Sequence, residues 1–236
     1  MNKGAPQNNE IAVLIPAYNE EKSIGELVRK LKENFSTVLV IDDGSTDNTS
    51  SHADKKGAII LKHNKCQGKG AALQTGFRYI IENNFPAVIT IDGDGQHPVE
   101  DIKGFVSAFK RNPKIGIWVG KRKVVSTDMP FLRRLTNLSM SLLISFFSGQ
   151  YIPDTQCGFR LIKKEVLEKV TLFTTHFETE SEILIKAGWK GFNIRSVPIS
   201  TVYKDEKSKI RPTTDTTRFF KMLVFLFCPF LQKTKN

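Results

Sequence analysis

Cysteine is scarce and scattered. Cys66, Cys157 and Cys228 are the three in 236 residues, and no two form a CxxC pair. Such spacing suggests neither a zinc site nor a disulfide framework, and it fits a reducing cytosol. The opening stretch MNKGAPQNNE has no apolar core of the kind a secretory signal needs. No apolar run reaches the ~20 residues of a membrane-spanning helix. Internal repeats and low-complexity segments are absent as well. Aromatic residues are not interleaved with the basic ones, which counts against a nucleic-acid surface. Acidic residues are also in short supply, with 24 Asp and Glu against 35 Lys and Arg, a formal charge of +11. That excess favours phosphate-bearing partners, whether nucleotides, nucleic acid or an anionic membrane surface. Hydrophobic residues at 40% and charged residues at 25% are ordinary for a globular chain, long enough here for one domain with an appendage.

What the chain does have is an alternation. Ile11–Ile15 reads as a strand buried on both faces and closed by Pro16. A helical pattern follows from Ser23 to Asn34. Thr37–Ile41 is a second strand, stopping at the turn formers and N-caps of Asp42–Thr49. Ala58–Leu61 is a third strand, and a helix opens at Lys65–Gly70 and runs to about Asn84. Ala87–Ile91 is a fourth strand, Val99–Lys110 a helix with Pro98 at its start, and Ile115–Val119 a fifth strand. Strands alternating with helices predict βαβ units and a mainly parallel sheet. Each polar cluster lies just after a strand, at the carboxyl edge where open α/β sheets bind ligands.

After Val119 the rhythm breaks. Lys121, Arg122 and Lys123 read as a basic loop, and Met129–Ser148 as an apolar helix headed by Arg133 and Arg134. A polar turn at Asp154–Arg160 leads into a strand over Arg160–Ile162. Helices over Lys163–Val170 and Phe177–Gly188 follow, then a strand over Phe192–Val202 that Pro198 assigns to a sheet edge. Tyr203–Pro212 is a charged loop expected to be mobile. Thr213–Leu231 is a helix, overwhelmingly apolar from Phe219 onwards. The expected organisation is a disordered 1–9, one domain over 10–212, and a membrane-associating helix in 213–236.

The densest chemistry sits in Ile89–Pro98, where a strand runs into Asp92-Gly93-Asp94-Gly95-Gln96-His97. Two carboxylates this close repel each other unless a cation joins them, and hard oxygen donors suit Mg2+ or Mn2+. The structural alternative is a solvated Asp/Gly turn. His97 reads as packing or capping beside Pro98 rather than as a base. Gly68-Lys69-Gly70 lacks Walker spacing, yet glycines at a helix N-terminus can approach phosphates; helix initiation is the competing reading. Arg122, Arg133 and Arg134 suit bidentate phosphate binding, against a solvated basic loop.

Pro16-Ala17-Tyr18-Asn19-Glu20, Ile41–Asp47, Asp92–Pro98 and Asp154–Arg160, in that order, resemble the inverting family 2 glycosyltransferases of GT-A type. Among these the resemblance points to the polyprenyl-phosphate (dolichyl-phosphate) mannosyl- and glucosyltransferases, and it runs from about Ile11 to Arg211. It implies a Rossmann-like α/β fold with a mainly parallel sheet flanked by helices. It places a base-and-ribose pocket on Pro16, Tyr18, Glu20, Asp42 and Asp43, although without the other motifs helix capping would be the favoured reading of the two aspartates. It makes Asp94 and Gln96 ligands of Mg2+ or Mn2+, with Asp92 at the metal or the ribose. Ser208 and Lys209 would close over the diphosphate. The lipid phosphate would lie among Arg122, Arg133 and Arg134, with Thr136 or Asn137 where the family has a serine.

The implied activity is transfer of a hexose, from a GDP-mannose or UDP-glucose type donor, to a polyprenyl phosphate at the cytoplasmic membrane face. An acceptor phosphate needs little base assistance, since its second pKa is near 6. Asp154 is then expected to position the sugar or the acceptor loop. Two alternatives remain at this stage. A sugar or protein hydroxyl acceptor would require Asp154 or Glu180 (Glu178 is a further carboxylate nearby) as a base. A non-catalytic protein would use its charge to bind lipid or nucleic acid. The C-terminal apolar helix is expected to lie in a membrane interface, and the Phe131–Phe147 stretch to do so or to pack internally.

Overall fold

The computed structural model describes residues 10–122, 131–200 and 212–228. Seven strands form one sheet in the order β3-β2-β1-β4-β6-β5-β7. They are β1 Ile11–Ala17, β2 Val38–Asp42, β3 Ile59–Lys62, β4 Ala87–Thr90, β5 Ile115–Arg122, β6 Arg160–Lys163 and β7 Asn193–Ile199. Neighbours pair in parallel except at β6, which runs antiparallel to both β4 and β5. The helices are α1 Ile24–Lys32, α2 Thr49–Asp54, α3 Lys69–Glu82, α4 Ile102–Arg111, α5 Phe131–Ser148, α6 Lys164–Lys169, α7 Thr179–Trp189 and α8 Pro212–Phe227. A short 3-10 turn at Val99–Asp101 precedes α4.

The all-apolar strands are explained by cover on both faces. Every residue of β1, β2 and β4 is buried, as expected for central parallel strands. α1 buries Ile24, Leu27, Val28 and Leu31, one stripe at helical spacing. α3 approaches β1 so closely that a Cβ on Gly76 would lie 2.3 Å from Leu14 Cδ1. Only a glycine allows that contact.

Two strands run further than expected. Pro16 lies inside β1, paired in register with Ile41. Its missing N–H costs nothing there. Alternate residues of a parallel strand face alternate neighbours, Pro16 faces the β4 side, and pairing with β4 ends at Leu14 and Thr90. β5 continues through Lys121 and Arg122 because β7 pairs with it as far as Arg122 and Ile199. Arg122 therefore ends a strand rather than sitting in a loop. β7 is the sheet edge, consistent with Pro198.

α8 docks Phe219, Met222, Leu223 and Leu226 on the domain and leaves Phe220, Val224 and Phe227 about half exposed. The Phe225 ring meets Phe173 at 4.4 Å, and the Phe227 ring meets Phe147 at 4.8 Å. Among the described residues no helix is long and apolar enough to cross a membrane.

Candidate functional site

Reversal of β6 decides which segments meet. The carboxyl ends of β1, β2, β4 and β5 share one edge of the sheet, and antiparallel β6 brings its amino end, with the 154–159 turn, to the same edge. The pairs Thr90–Arg160 and Val119–Arg160 fix that turn beside the end of β4.

The turns after β1 and β2 are laced together. Ser45 Oγ accepts from the Asn19 N–H (2.9 Å), Thr49 Oγ1 from the Glu20 N–H (2.8 Å), and Asn19 Oδ1 from the Thr46 N–H (2.9 Å). Asn19 has a left-handed φ of 53°, which asparagine tolerates better than most residues. Tyr18 remains partly exposed at the rim.

Asp42 and Asp43 are engaged from within. Asp42 Oδ1 accepts from the Ser45 N–H at 2.8 Å, and Oδ2 accepts from Ser50 Oγ with Lys62 Nζ 3.5 Å away. Its residue is fully buried, and in this arrangement its two oxygens serve the local turn and the start of α2 through Ser45 and Ser50. Asp43 organises the approach to α3. Its Oδ1 accepts from the Gln67 N–H (2.9 Å) and from His63 Nδ1 (2.7 Å), and its Oδ2 from the Gly68 N–H (2.7 Å) and Cys66 Sγ (3.3 Å). A carboxylate only accepts, so His63 carries a proton on Nδ1, and its Nε2 lies 2.9 Å from Thr75 Oγ1.

The turn after β4 carries the charge. Asp94 Oδ1 accepts from the Gln96 N–H at 2.9 Å, Gly95 takes a φ of 68°, and Ser23 Oγ donates to the Gly93 carbonyl at 2.6 Å. Burial, followed by the Asp92 charge beside it, pushes the Asp94 carboxyl up to about 6, although the Gln96 N–H pulls the other way. Asp92 moves in the opposite direction. Burial opposes its charge, but the Lys69 ammonium 2.7 Å from Oδ1 holds it below the usual carboxylate range. Lys69 also contacts Glu180 Oε2 at 2.9 Å. His97 is buried, its ring 5.4 Å from that of Phe159, and desolvation lowers its pKa. It packs against Phe159 beside Pro98.

This donor set fits a hard divalent cation. Two carboxylates, one of them pushed up to about 6 by burial and then by the charge of the other, gain from a nearby cation. Among the described residues no three His, Cys, Asp or Glu side chains converge as a metal-holding group. The turn offers two carboxylates and the Gln96 amide, leaving other positions for phosphate oxygens and water, the arrangement Mg2+ favours.

On the opposite rim, Arg122 is clamped. Its Nε donates to Asp154 Oδ2 and its Nη2 to Asp154 Oδ1, both at 2.8 Å, while its own N–H reaches Oδ2 at 3.2 Å. Asp154 thus holds the Arg122 guanidinium at the end of β5. Arg160 has no counterpart among the residues expected from the sequence. Fully buried, it donates to the carbonyls of Cys157 (2.8 Å), Thr155 (2.9 Å) and Glu180 (2.6 Å), tying the 154–159 turn to α7. Its signal in the sequence was an arginine standing inside the apolar run Phe159–Ile162 directly after a polar turn. The expectations for Arg133 and Arg134 concern side chains outside the described set, and Ser208 and Lys209 lie outside the described residues.

A sequence model of glycosyl transferase family 2 matches residues 12–171. A UDP-N-acetylglucosamine–dolichyl-phosphate N-acetylglucosaminyltransferase of Methanococcus voltae is 31% identical, covering 83% of this chain and 86% of its own. A dolichyl-phosphate hexose transferase of Haloferax volcanii is 28% identical, covering 92% of this chain and 93% of its own. Among solved structures, glucosyl-3-phosphoglycerate synthase of Mycobacterium tuberculosis, in complex with Mn2+, UDP and phosphoglyceric acid, superposes with a TM-score of 0.73. It is 19% identical and covers 92% of this chain and 78% of its own, a likeness of fold.

Proposed function

The chain belongs to glycosyl transferase family 2, and on that basis we propose that it transfers a hexose from a nucleotide-sugar to a polyprenyl phosphate with inversion at the anomeric carbon. The observation that carries the reading is the commitment of the rim carboxylates. Asp154 is engaged by Arg122 and Glu180 by Lys69, contacts that argue against either serving as the general base a hydroxyl acceptor requires. A phosphate monoester, mostly dianionic at neutral pH, brings its own nucleophile. The names of the Methanococcus and Haloferax relatives support the same acceptor class.

In this reading Pro16, Tyr18 and Glu20 border the base and ribose, with the main chain around Asp43. Asp92, Asp94 and Gln96 would hold Mg2+ or Mn2+, which would neutralise the departing diphosphate. Lys69 lies on the diphosphate side. Arg122, fixed by Asp154, is assigned to the acceptor phosphate, a role shared with Arg133 and Arg134, and Ser208 and Lys209 are assigned to the donor. A phosphate oxygen of the acceptor attacks the anomeric carbon as its bond to the nucleoside diphosphate breaks on the opposite side.

The acceptor's hydrocarbon also has a place. α5 is tied to the site by Ser141 Oγ, which accepts from the Thr155 N–H at 3.1 Å. Along its outer side Leu135, Leu138, Leu142 and Phe146 are exposed, Phe146 by 79%. Phe220, Val224 and Phe227 of α8 add a second apolar row. Exposed apolar rows on a strongly basic protein suit peripheral attachment to the cytoplasmic face of an anionic membrane. The test is incubation of purified protein and Mg2+ or Mn2+ with a panel of nucleotide-sugars and a polyprenyl phosphate. Sugar in the organic-solvent phase is expected with at least one donor; none with any donor defeats the reading.

A further inference from the structure

Three charged side chains from three separate segments meet over one glycine. Lys69, the first residue of α3, places Nζ 2.7 Å from Asp92 Oδ1 and 2.9 Å from Glu180 Oε2. A Cβ on Gly158 would lie 2.8 Å from Asp92 Oδ2, 2.9 Å from Lys69 Nζ and 3.0 Å from Glu180 Oε1. The ammonium and the remaining oxygen of each carboxylate therefore crowd the same patch of bare backbone. The side chains of Lys69, Glu180 and Asp92 are 17%, 13% and 29% exposed, so this is a largely enclosed triad rather than a solvated pair. The Phe177 ring, 5.9 Å from Nζ, closes another side.

Asp92 has two calls on it. It is one of the hard oxygen donors of the β4 turn, yet one of its oxygens already holds a full positive charge at contact distance. A divalent ion at this turn meets an ammonium beside it, in surroundings where charges are weakly screened. A nucleoside diphosphate changes that balance, because it offers the ammonium a more highly charged partner within the same cleft. Glu180 keeps the lysine from swinging into solvent during such an exchange. We propose that Lys69 is a resident counter-cation of the β4 turn. It occupies Asp92 while the donor site is empty and suppresses divalent-ion binding, then passes to the diphosphate, so that metal and donor load together. The proposal rests on the metal-site reading of Asp92, Asp94 and Gln96.

The test is Mn2+ binding, followed by the electron paramagnetic resonance signal of free Mn2+, with and without UDP or GDP, against nucleotide-only controls. Wild-type protein is expected to bind Mn2+ at least tenfold more tightly with the fitting nucleotide than alone. Lys69→Met is expected to bind nucleotide-free Mn2+ at least tenfold more tightly than wild type and to lose most of the nucleotide enhancement. Lys69→Arg, which keeps the charge, should resemble wild type. Lys69→Met leaves two carboxylates facing each other, so the double variant Lys69→Met with Glu180→Gln guards against misfolding, and it should also exceed wild type. If neither variant, confirmed folded by circular dichroism, binds nucleotide-free Mn2+ more tightly than wild type, the counter-cation role is wrong. Asp94→Asn separates the two levels of the argument. Loss of nucleotide-dependent Mn2+ uptake supports the metal site whatever Lys69 does, and retention overturns both.

Discussion

Replacing Asp154 tests whether it serves Arg122 or acts on substrate. The pair makes two parallel N–H···O contacts of 2.8 Å, with side chains 17% and 13% exposed. Exposed ion pairs contribute about 0–1 kcal/mol, whereas breaking a fully buried one costs about 3–5 kcal/mol. Bidentate geometry at this degree of enclosure lies between, at about 2 kcal/mol of coupling. Asp154→Ala should therefore lower the melting temperature by roughly 4–8 °C, at about 2–4 °C per kcal/mol for a chain of this size. The decisive assay is a double-mutant cycle of Asp154→Ala and Arg122→Ala, read by urea denaturation and by kcat/KM for the acceptor. If Asp154 acts by holding the guanidinium, each single variant loses acceptor kcat/KM by a similar factor and the double variant is little worse. A base would behave otherwise, since its loss would multiply with that of Arg122. Stability effects additive within ~0.5 kcal/mol, or activity losses that multiply, would refute the positioning role.

Other consequences are equally direct. Asp42 is buried, which works against its charge, but hydrogen bonds from Ser45 and Ser50 hold its carboxyl below the usual range. A depressed folded pKa gives stability that is present above about pH 4 and disappears as pH falls through the folded value. Ser50→Ala should cost about 1–2 kcal/mol at pH 7 in urea melts, with the deficit shrinking below pH 4; a pH-independent deficit contradicts this. Gly76→Ala ought to stabilise a helix by about 1 kcal/mol on propensity alone, yet its Cβ would meet Leu14 Cδ1 at 2.3 Å. Net destabilisation of about 1–3 kcal/mol is expected by thermal melting, and a gain in stability would show that α3 shifts freely. Leu138→Glu with Leu142→Glu on α5 should leave folding stability within about 0.5 kcal/mol, both sites being more than half exposed. Flotation with anionic vesicles should fall severalfold, and unchanged flotation removes α5 from the membrane contact.

Local pattern made the central strands legible because they are covered on both faces and read as unbroken apolar runs. Pro16 misled as a terminator, since what matters is which neighbour its missing N–H would have met, and the end of β4 is visible only in three dimensions. The extension of β5 to Arg122 depends on β7, far along the chain. The Asp92–Gln96 turn was legible as a charged strand end. Its electrostatics were not, because the cation beside Asp92 comes from α3 and is held by Glu180 of α7. Asp42 and Asp43 carried two readings in sequence. The contacts that hold their carboxylates come from partners such as Ser50 and His63 that no short motif contains. Arg160, a buried cation bonded to three carbonyls, has a role that only the antiparallel entry of β6 creates.

The account turns on the nature of the acceptor, so the most direct measurement offers two acceptors that differ only there. Polyprenyl phosphate and the matching polyprenol are supplied side by side with the same nucleotide-sugar and divalent ion, and the lipid product is analysed for its linkage and anomer. The account predicts a sugar linked through phosphate, with the anomeric configuration inverted relative to the donor, and no product from the alcohol. Transfer to the alcohol, or a product with retained configuration, would contradict it.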